Sequence, residues 1–182
     1  MGGFESSLVQ GILPNIQARV LMIGLDNAGK TSLRYQMTLG EFVRTPPTLA
    51  NPMDFLSYNR VELTIWDVGG QIEARQLWQH YFENTDALIF VVDSHDRARL
   101  AEARKELEFV LEDKRLAGAD LLLMCNKTDL PGGASTEELG KELGLLERSE
   151  RQWHIQACSA ITGEGVIEGL DWLTKAIKKP KP

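Results

Sequence analysis

Residues 18–31 read Ala18-Arg19-Val20-Leu21-Met22-Ile23-Gly24-Leu25-Asp26-Asn27-Ala28-Gly29-Lys30-Thr31, and this order decides the fold. An apolar run, Val20 to Ile23, ends in a glycine loop, and a helix-compatible stretch from Lys30 to Leu39 follows. Gly24, Gly29, Lys30 and Thr31 satisfy the pattern G-x-x-x-x-G-K-[ST]. Glycines let successive backbone N–H groups turn inward on a phosphate, and the following helix aims its positive dipole end at the same point. Lys30 is a point charge for the β- and γ-phosphates, and the Thr31 hydroxyl can ligate Mg²⁺. Asp26, Asn27, Ala28 and Gly29 of the loop, with Lys30, Thr31 and Ser32 at the helix start, are the candidate nucleotide contacts.

The rest of the composition fits one ordinary globular domain. The 182 residues are 43% apolar and 25% charged, and a net charge of −6 with no basic block disfavours a nucleic-acid partner. Cys125 and Cys158 sit in apolar strand-like runs without a CxxC or Cys/His cluster, so both are expected as buried, reduced thiols. No apolar run approaches a membrane-spanning length, and no secretory signal is expected.

The first residues, Met1-Gly2-Gly3-Phe4-Glu5-Ser6, fit the N-myristoylation pattern with Gly2 as the acceptor. Behind them Phe4, Leu8, Val9, Ile12 and Leu13 share one helical face, and Pro14 ends the helix. Residues 1–17 thus read as an amphipathic N-terminal helix and 18–182 as the nucleotide-binding domain. The helix has two uses: packing in a groove of its own domain, or insertion beside an acyl chain at a membrane surface. Lys175, Lys178, Lys179 and Lys181 could add the electrostatic half of a membrane signal, or form a solvated helix end.

Prolines 46, 47 and 52 exclude a regular element over residues 41–52, which form a loop beside the site. Met53–Tyr58 and Val61–Val68, joined by Asn59-Arg60, read as an antiparallel hairpin. Its second strand delivers Trp66-Asp67-Val68-Gly69-Gly70-Gln71. A carboxylate at a strand end can hold Mg²⁺ directly or through water, a glycine N–H can approach a γ-phosphate, and an amide can orient water. The strand Ala87 to Val92 ends at Asp93, and residues 97–113 show core spacing of a helix. The strand Leu121 to Cys125 runs into Asn126-Lys127-Thr128-Asp129. A carboxylate accepts from both the N1–H and the exocyclic amino group of guanine, which adenine cannot offer together. Asn126 can bind the base or brace the phosphate loop, and the Lys127 stem can cover a ring face. A last strand, His154 to Cys158, leads to Ser159-Ala160, where a backbone N–H could meet the guanine carbonyl, and a helix over Val166–Ile177 follows. These motifs all fall at strand ends, and open parallel α/β sheets bind ligands outside the carboxyl ends of their strands.

From Gly24 to about Lys178 the chain resembles small GTPases of the ADP-ribosylation-factor (Arf and Arf-like) family, in Gly24–Thr31, Trp66–Gln71, Asn126–Asp129 and Glu168–Leu173. The resemblance implies an α/β, three-layer P-loop (Ras-like) fold: a six-stranded, mostly parallel sheet with one antiparallel strand, flanked by helices. It also implies Mg²⁺-dependent binding of GTP and GDP. Carried over by position, Thr31 and Thr48 ligate Mg²⁺, Asp67 braces it through water, and Gly70 contacts the γ-phosphate. Gln71 orients the hydrolytic water, Asn126 and Asp129 read the base, and Lys127, Ser159 and Ala160 complete that pocket. The implied role is a slow GTPase switch, on the order of 10⁻⁴ per second alone. It would be served by an exchange factor, an activating protein and effectors, act at internal membranes such as the Golgi in vesicle trafficking, and be monomeric by default. The hairpin over 53–68 resembles the element whose register shift couples GTP binding to release of the N-terminal helix. The first switch departs from the family pattern at Ala50, Asn51 and Pro52, which replace a glycine, an aromatic and an asparagine. Effectors that need the aromatic beside Trp66 and Tyr81 are therefore not expected to be shared. Two other readings stay open: a non-hydrolysing guanine-nucleotide scaffold, and a P-loop kinase, against which Asn126–Asp129 argues.

Overall fold

The computed structural model describes residues 15–42 and 53–180. A six-stranded sheet runs in the order β2-β3-β1-β4-β5-β6. Its strands are β1 (Ile16–Ile23), β2 (Met53–Tyr58), β3 (Val61–Asp67), β4 (Ala87–Asp93), β5 (Asp120–Asn126) and β6 (Trp153–Ala157). Only β2–β3 pairs antiparallel; β1–β3, β1–β4, β4–β5 and β5–β6 are parallel. The helices are α1 (Lys30–Leu39), α2 (Ile72–Arg75), α3 (Leu100–Glu112), α4 (Thr136–Glu142) and α5 (Val166–Lys178). This is the three-layer α/β architecture expected.

Side-chain alternation builds two cores. Leu21, Ile23, Phe90 and Leu123 face α3 and α4 through Leu107, Val110 and Leu139, with Trp78 and Phe82 filling the end of that layer. Val20, Met22, Val91 and Met124 face α1 and α5 through Leu33, Met37, Leu170 and Leu173. Strands covered on both faces read as continuous apolar runs, which is why Leu121–Cys125 carries no alternation. Each of these aliphatic side chains stabilises the fold by about 1.5–3 kcal/mol.

β3 alternates buried and half-buried, as an edge-proximal strand should. Its hairpin turn puts Asn59 and Arg60 at φ 49° and 63°, the left-handed pair that a two-residue turn requires. The turn is tied to α5: the Tyr58 hydroxyl donates to Asp171 at 2.8 Å, and the Asn59 amide donates to Asp171 and Thr174 at 3.0 and 3.2 Å. Because β1 lies between β3 and β4, the chain leaves it in one direction to build β2–β3 and returns to build β4–β6 on the other side. A crevice therefore opens at the carboxyl end of β1.

Some boundaries differ from the sequence reading. β1 begins at Ile16, so Ile16 and Gln17, assigned above to the N-terminal segment, instead pair with Val61 and Glu62. The helix expected over 97–113 starts as a 3₁₀ turn, Arg97–Arg99, before α3. The last strand lies one residue earlier than expected, which leaves Cys158 just beyond it, its amide donating to Cys125 at 2.8 Å. Both thiols are free and buried; burial pushes Cys125 up to about 12 and Cys158 higher still, so neither is a thiolate at neutral pH. Among the described residues no helix is long and apolar enough to cross a membrane.

Candidate nucleotide site

The crevice is a cleft of about 640 Å³ at the carboxyl ends of β1, β3 and β5. Asp26, Asn27, Gly29, Lys30, Thr31, Ser32, Asp67, Gly70, Gln71, Asn126, Lys127, Asp129 and Ala160 all line it, with Phe42 and Ile161. Four separate stretches of sequence thus meet in one place. Ala28 and Ser159 are buried directly behind it. Thr48 and Gly2 lie outside the described residues.

The loop after β1 needs its glycines for stated reasons. Gly29 has φ 90°, and a Cβ there would run into Asn126 Nδ2. Gly70 lies flat on the loop, its carbonyl accepting from the Asp26 amide at 3.1 Å, and a Cβ on it would overlap the Gly24 carbonyl oxygen. Gly29→Ala should therefore cost roughly 1–3 kcal/mol of stability, from backbone strain and overpacking together. Denaturant unfolding of the purified variant measures it.

Lys30 is buried, its ammonium donating to the Gly24 and Leu25 carbonyls at 3.0 and 2.8 Å. Burial pulls its pKa down to about 8, against the pull of Asp67 and Asp26. The Thr31 hydroxyl donates to Asp67 Oδ2 at 2.7 Å. Burial raises Asp67 above the usual carboxylate range, more than the Thr31 hydrogen bond and Lys30 lower it.

The base end is a connected hydrogen-bond frame. Asn126 donates to the Ala28 carbonyl and accepts from the Ala160 amide, both at 2.9 Å. Asn126 thus braces the phosphate loop, one of the two uses expected of it, and ties that loop to the Ser159-Ala160 segment. Ser159 Oγ donates to Asp129 Oδ1 at 2.6 Å, which orients that carboxylate. Lys127 Nζ is held by Asp93 at 2.6 Å, which lays its stem along the cleft wall.

Sequence reasoning missed four residues here. Arg99 holds Asp26 by its side chain at 2.9 Å and its carbonyl at 3.0 Å. Arg75 donates to the Gly70 carbonyl at 2.8 Å and pairs with Glu102 and Glu106 of α3, which pins the segment carrying Gln71. Asp93 anchors Lys127, and Arg34 is buried between Asp54 and Asp67. Only Arg34 left a signal, as a charge on the apolar face of α1 with Leu33 and Met37.

A parallel sheet with a glycine loop leading into a helix, and a lysine, hydroxyl and carboxylate converging beside that loop, defines a P-loop nucleotide-binding protein. The model of the ADP-ribosylation factor family matches residues 5–177. The structure of the Arl6 BBS3 small GTPase from Trypanosoma brucei, with the bound nucleotide analogue GppNp, superposes with a TM-score of 0.80 at 32% identity, covering 88% of this chain and 97% of that one. The chain belongs to the ADP-ribosylation factor family and is a small GTPase.

Proposed function

We propose that this chain is a Mg²⁺-dependent switch that binds GTP in the cleft, hydrolyses it slowly and presents different surfaces in its GTP and GDP states. The convergence of Lys30, Thr31, Asp67, Gln71 and Asp129 on one cleft supports this most directly. Residues 26–32 cradle the phosphates, and Asp129 reads the guanine edge while Asn126, Ser159 and Ala160 hold its frame. Gln71 orients the attacking water, whose oxygen bonds to the γ-phosphorus as the bond to the bridging oxygen breaks, leaving GDP and phosphate.

The donor set suits Mg²⁺: a hydroxyl and a carboxylate in contact, both hard oxygen ligands. Among the described residues no three His, Cys, Asp or Glu side chains cluster, so the remaining ligands would come from Thr48, phosphates and water. Bound there, Mg²⁺ would neutralise charge on the β- and γ-phosphates. The Trp66 and Tyr81 rings, 5.4 Å apart with Arg19 stacked 4.8 Å from Trp66, form the surface that recruits effectors. Gly2 is the acylation site of an N-terminal membrane helix, and the role is vesicle trafficking on an internal membrane, with the Golgi as the favoured site. An exchange factor loads GTP and an activating protein completes hydrolysis.

The test is to denature fresh protein and identify the released nucleotide by chromatography. GDP near one per chain is expected; ATP or ADP would overturn the guanine reading. The Lys30 pKa adds a pH signature. A bound phosphate favours the charged ammonium and raises its pKa, so affinity is full below pH 8 and lost above it. GDP affinity should fall about fivefold between pH 8 and 9, where the phosphates are already fully ionised. A flat profile by fluorescence titration would mean that Lys30 keeps its charge through pH 9 in the free protein.

A further inference from the structure

Arg34 is the least expected residue near the site. It sits one turn beyond Lys30 and Thr31 on the buried face of α1, and is only 2% exposed. A guanidinium keeps its charge and is costly to bury unless carboxylates meet it. Two do. Nη1 reaches Asp54 Oδ2 on β2 at 2.7 Å, and Nε lies 3.5 Å from Asp67 Oδ2 at the end of β3. That Asp67 oxygen is the one that accepts the Thr31 hydroxyl. Stacking of Arg34 on the Tyr35 ring, 4.6 Å from its centroid, holds the guanidinium in place.

We infer that Arg34 is a built-in positive charge that competes with a divalent cation for Asp67 and so sets the Mg²⁺ affinity of the site, with Asp54 as the counter-charge that restrains it. The inference rests on the reading of Thr31 as a Mg²⁺ ligand and of Asp67 as the carboxylate that holds the ion through water. Like charges that share one carboxylate weaken each other's hold on it, and in a buried site they are poorly screened. When the ion leaves, Arg34 still faces Asp67, so the metal-free state does not carry a bare buried carboxylate. Nucleotide exchange, which passes through that state, is correspondingly less dependent on Mg²⁺. Arg34 is a positioning residue for charge; it contacts no reacting atom.

Charge accounting makes opposite predictions for the two partners. Arg34→Gln leaves the site one charge more negative and should tighten Mg²⁺ binding. Asp54→Asn removes a negative charge that offsets Arg34 and should loosen it. A purely structural role would loosen the site in both variants. The experiment loads the full chain with fluorescent GDP and follows its release across buffered free Mg²⁺, in wild type, Arg34→Gln, Arg34→Lys and Asp54→Asn. The midpoint for Mg²⁺ should fall about tenfold in Arg34→Gln, rise about tenfold in Asp54→Asn, and stay near wild type in Arg34→Lys. Midpoints that move together, or that do not move, overturn the inference. The Asp54 side chain is 35% exposed, so Asp54→Asn is expected to fold. If Arg34→Gln does not fold, Arg34→Lys, which keeps the charge but loses the planar fork, decides the case: a wild-type midpoint supports the charge and a raised one overturns it. Wild-type release that ignores Mg²⁺ would instead overturn the metal site itself, a separate failure.

Discussion

Asp129→Asn should raise the dissociation constant for GDP by about a thousandfold, and xanthosine diphosphate should become the better ligand. Asp129 opens onto the cleft, and Ser159 Oγ fixes one of its oxygens at 2.6 Å. Ser159 Oγ itself accepts from the Ile161 and Thr162 amides at 3.2 and 3.1 Å, so the carboxylate is oriented before any base arrives. Guanine offers it two donors, N1–H and the exocyclic amino group. Losing the charged hydrogen bond to the amino group costs about 2 kcal/mol, and leaving that donor against another costs about 2 more, roughly 4 kcal/mol or three decades in affinity. An asparagine keeps one acceptor but sets its own amide N–H₂ against the guanine amino group, donor facing donor. Xanthine carries a carbonyl at that position and restores the match. Competition between the two diphosphates on wild type and variant measures the swap, and a change in GDP affinity below tenfold would exclude Asp129 as the base reader. Because the frame behind it is held by Asn126, Ala28 and Ala160, the variant should keep its fold.

What could be read from the amino acids alone follows from how far apart the interacting groups lie. The bounds of α1 were legible because Gly29 and Gly40, both in left-handed backbone, flank it. β4 and β5 were legible as unbroken apolar runs, and the cleft because each motif sits at a strand end. α4 was not assigned, since seven residues are too few for periodicity, though Ser135 and Glu138 form a reciprocal capping box that signals its start. The arginine frame was invisible for a different reason. Arg99 meets Asp26 across 73 residues, and Arg75 meets Glu102 across 27. Such pairs are chosen by the sheet order, which no local pattern encodes. The same distance hid Asp93 as the partner of Lys127, 34 residues on.

Gln71→Leu should slow hydrolysis with an activating protein by at least about a hundredfold while leaving nucleotide affinity and melting temperature close to wild type. Gln71 stands at the N-terminal edge of α2, where its carbonyl accepts from the Ala74 and Arg75 amides at 2.9 and 3.1 Å. Its backbone is thus placed by α2, and α2 in turn by the Arg75 pairs to Glu102 and Glu106. The side chain itself is exposed in the cleft and packs into no core. Leucine therefore costs the fold little. What it removes is an amide that can accept from a water and donate to the phosphate it attacks, the only feature of the side chain that differs between the two residues in function. A hundredfold loss is about 2.7 kcal/mol of barrier, the scale of one oriented polar group in a closed site. Single-turnover hydrolysis of preloaded GTP, beside a thermal melt, separates the outcomes. A slowed reaction with an unchanged melt assigns Gln71 to the water, and an unchanged rate would leave the water to be positioned from outside the residues of this cleft.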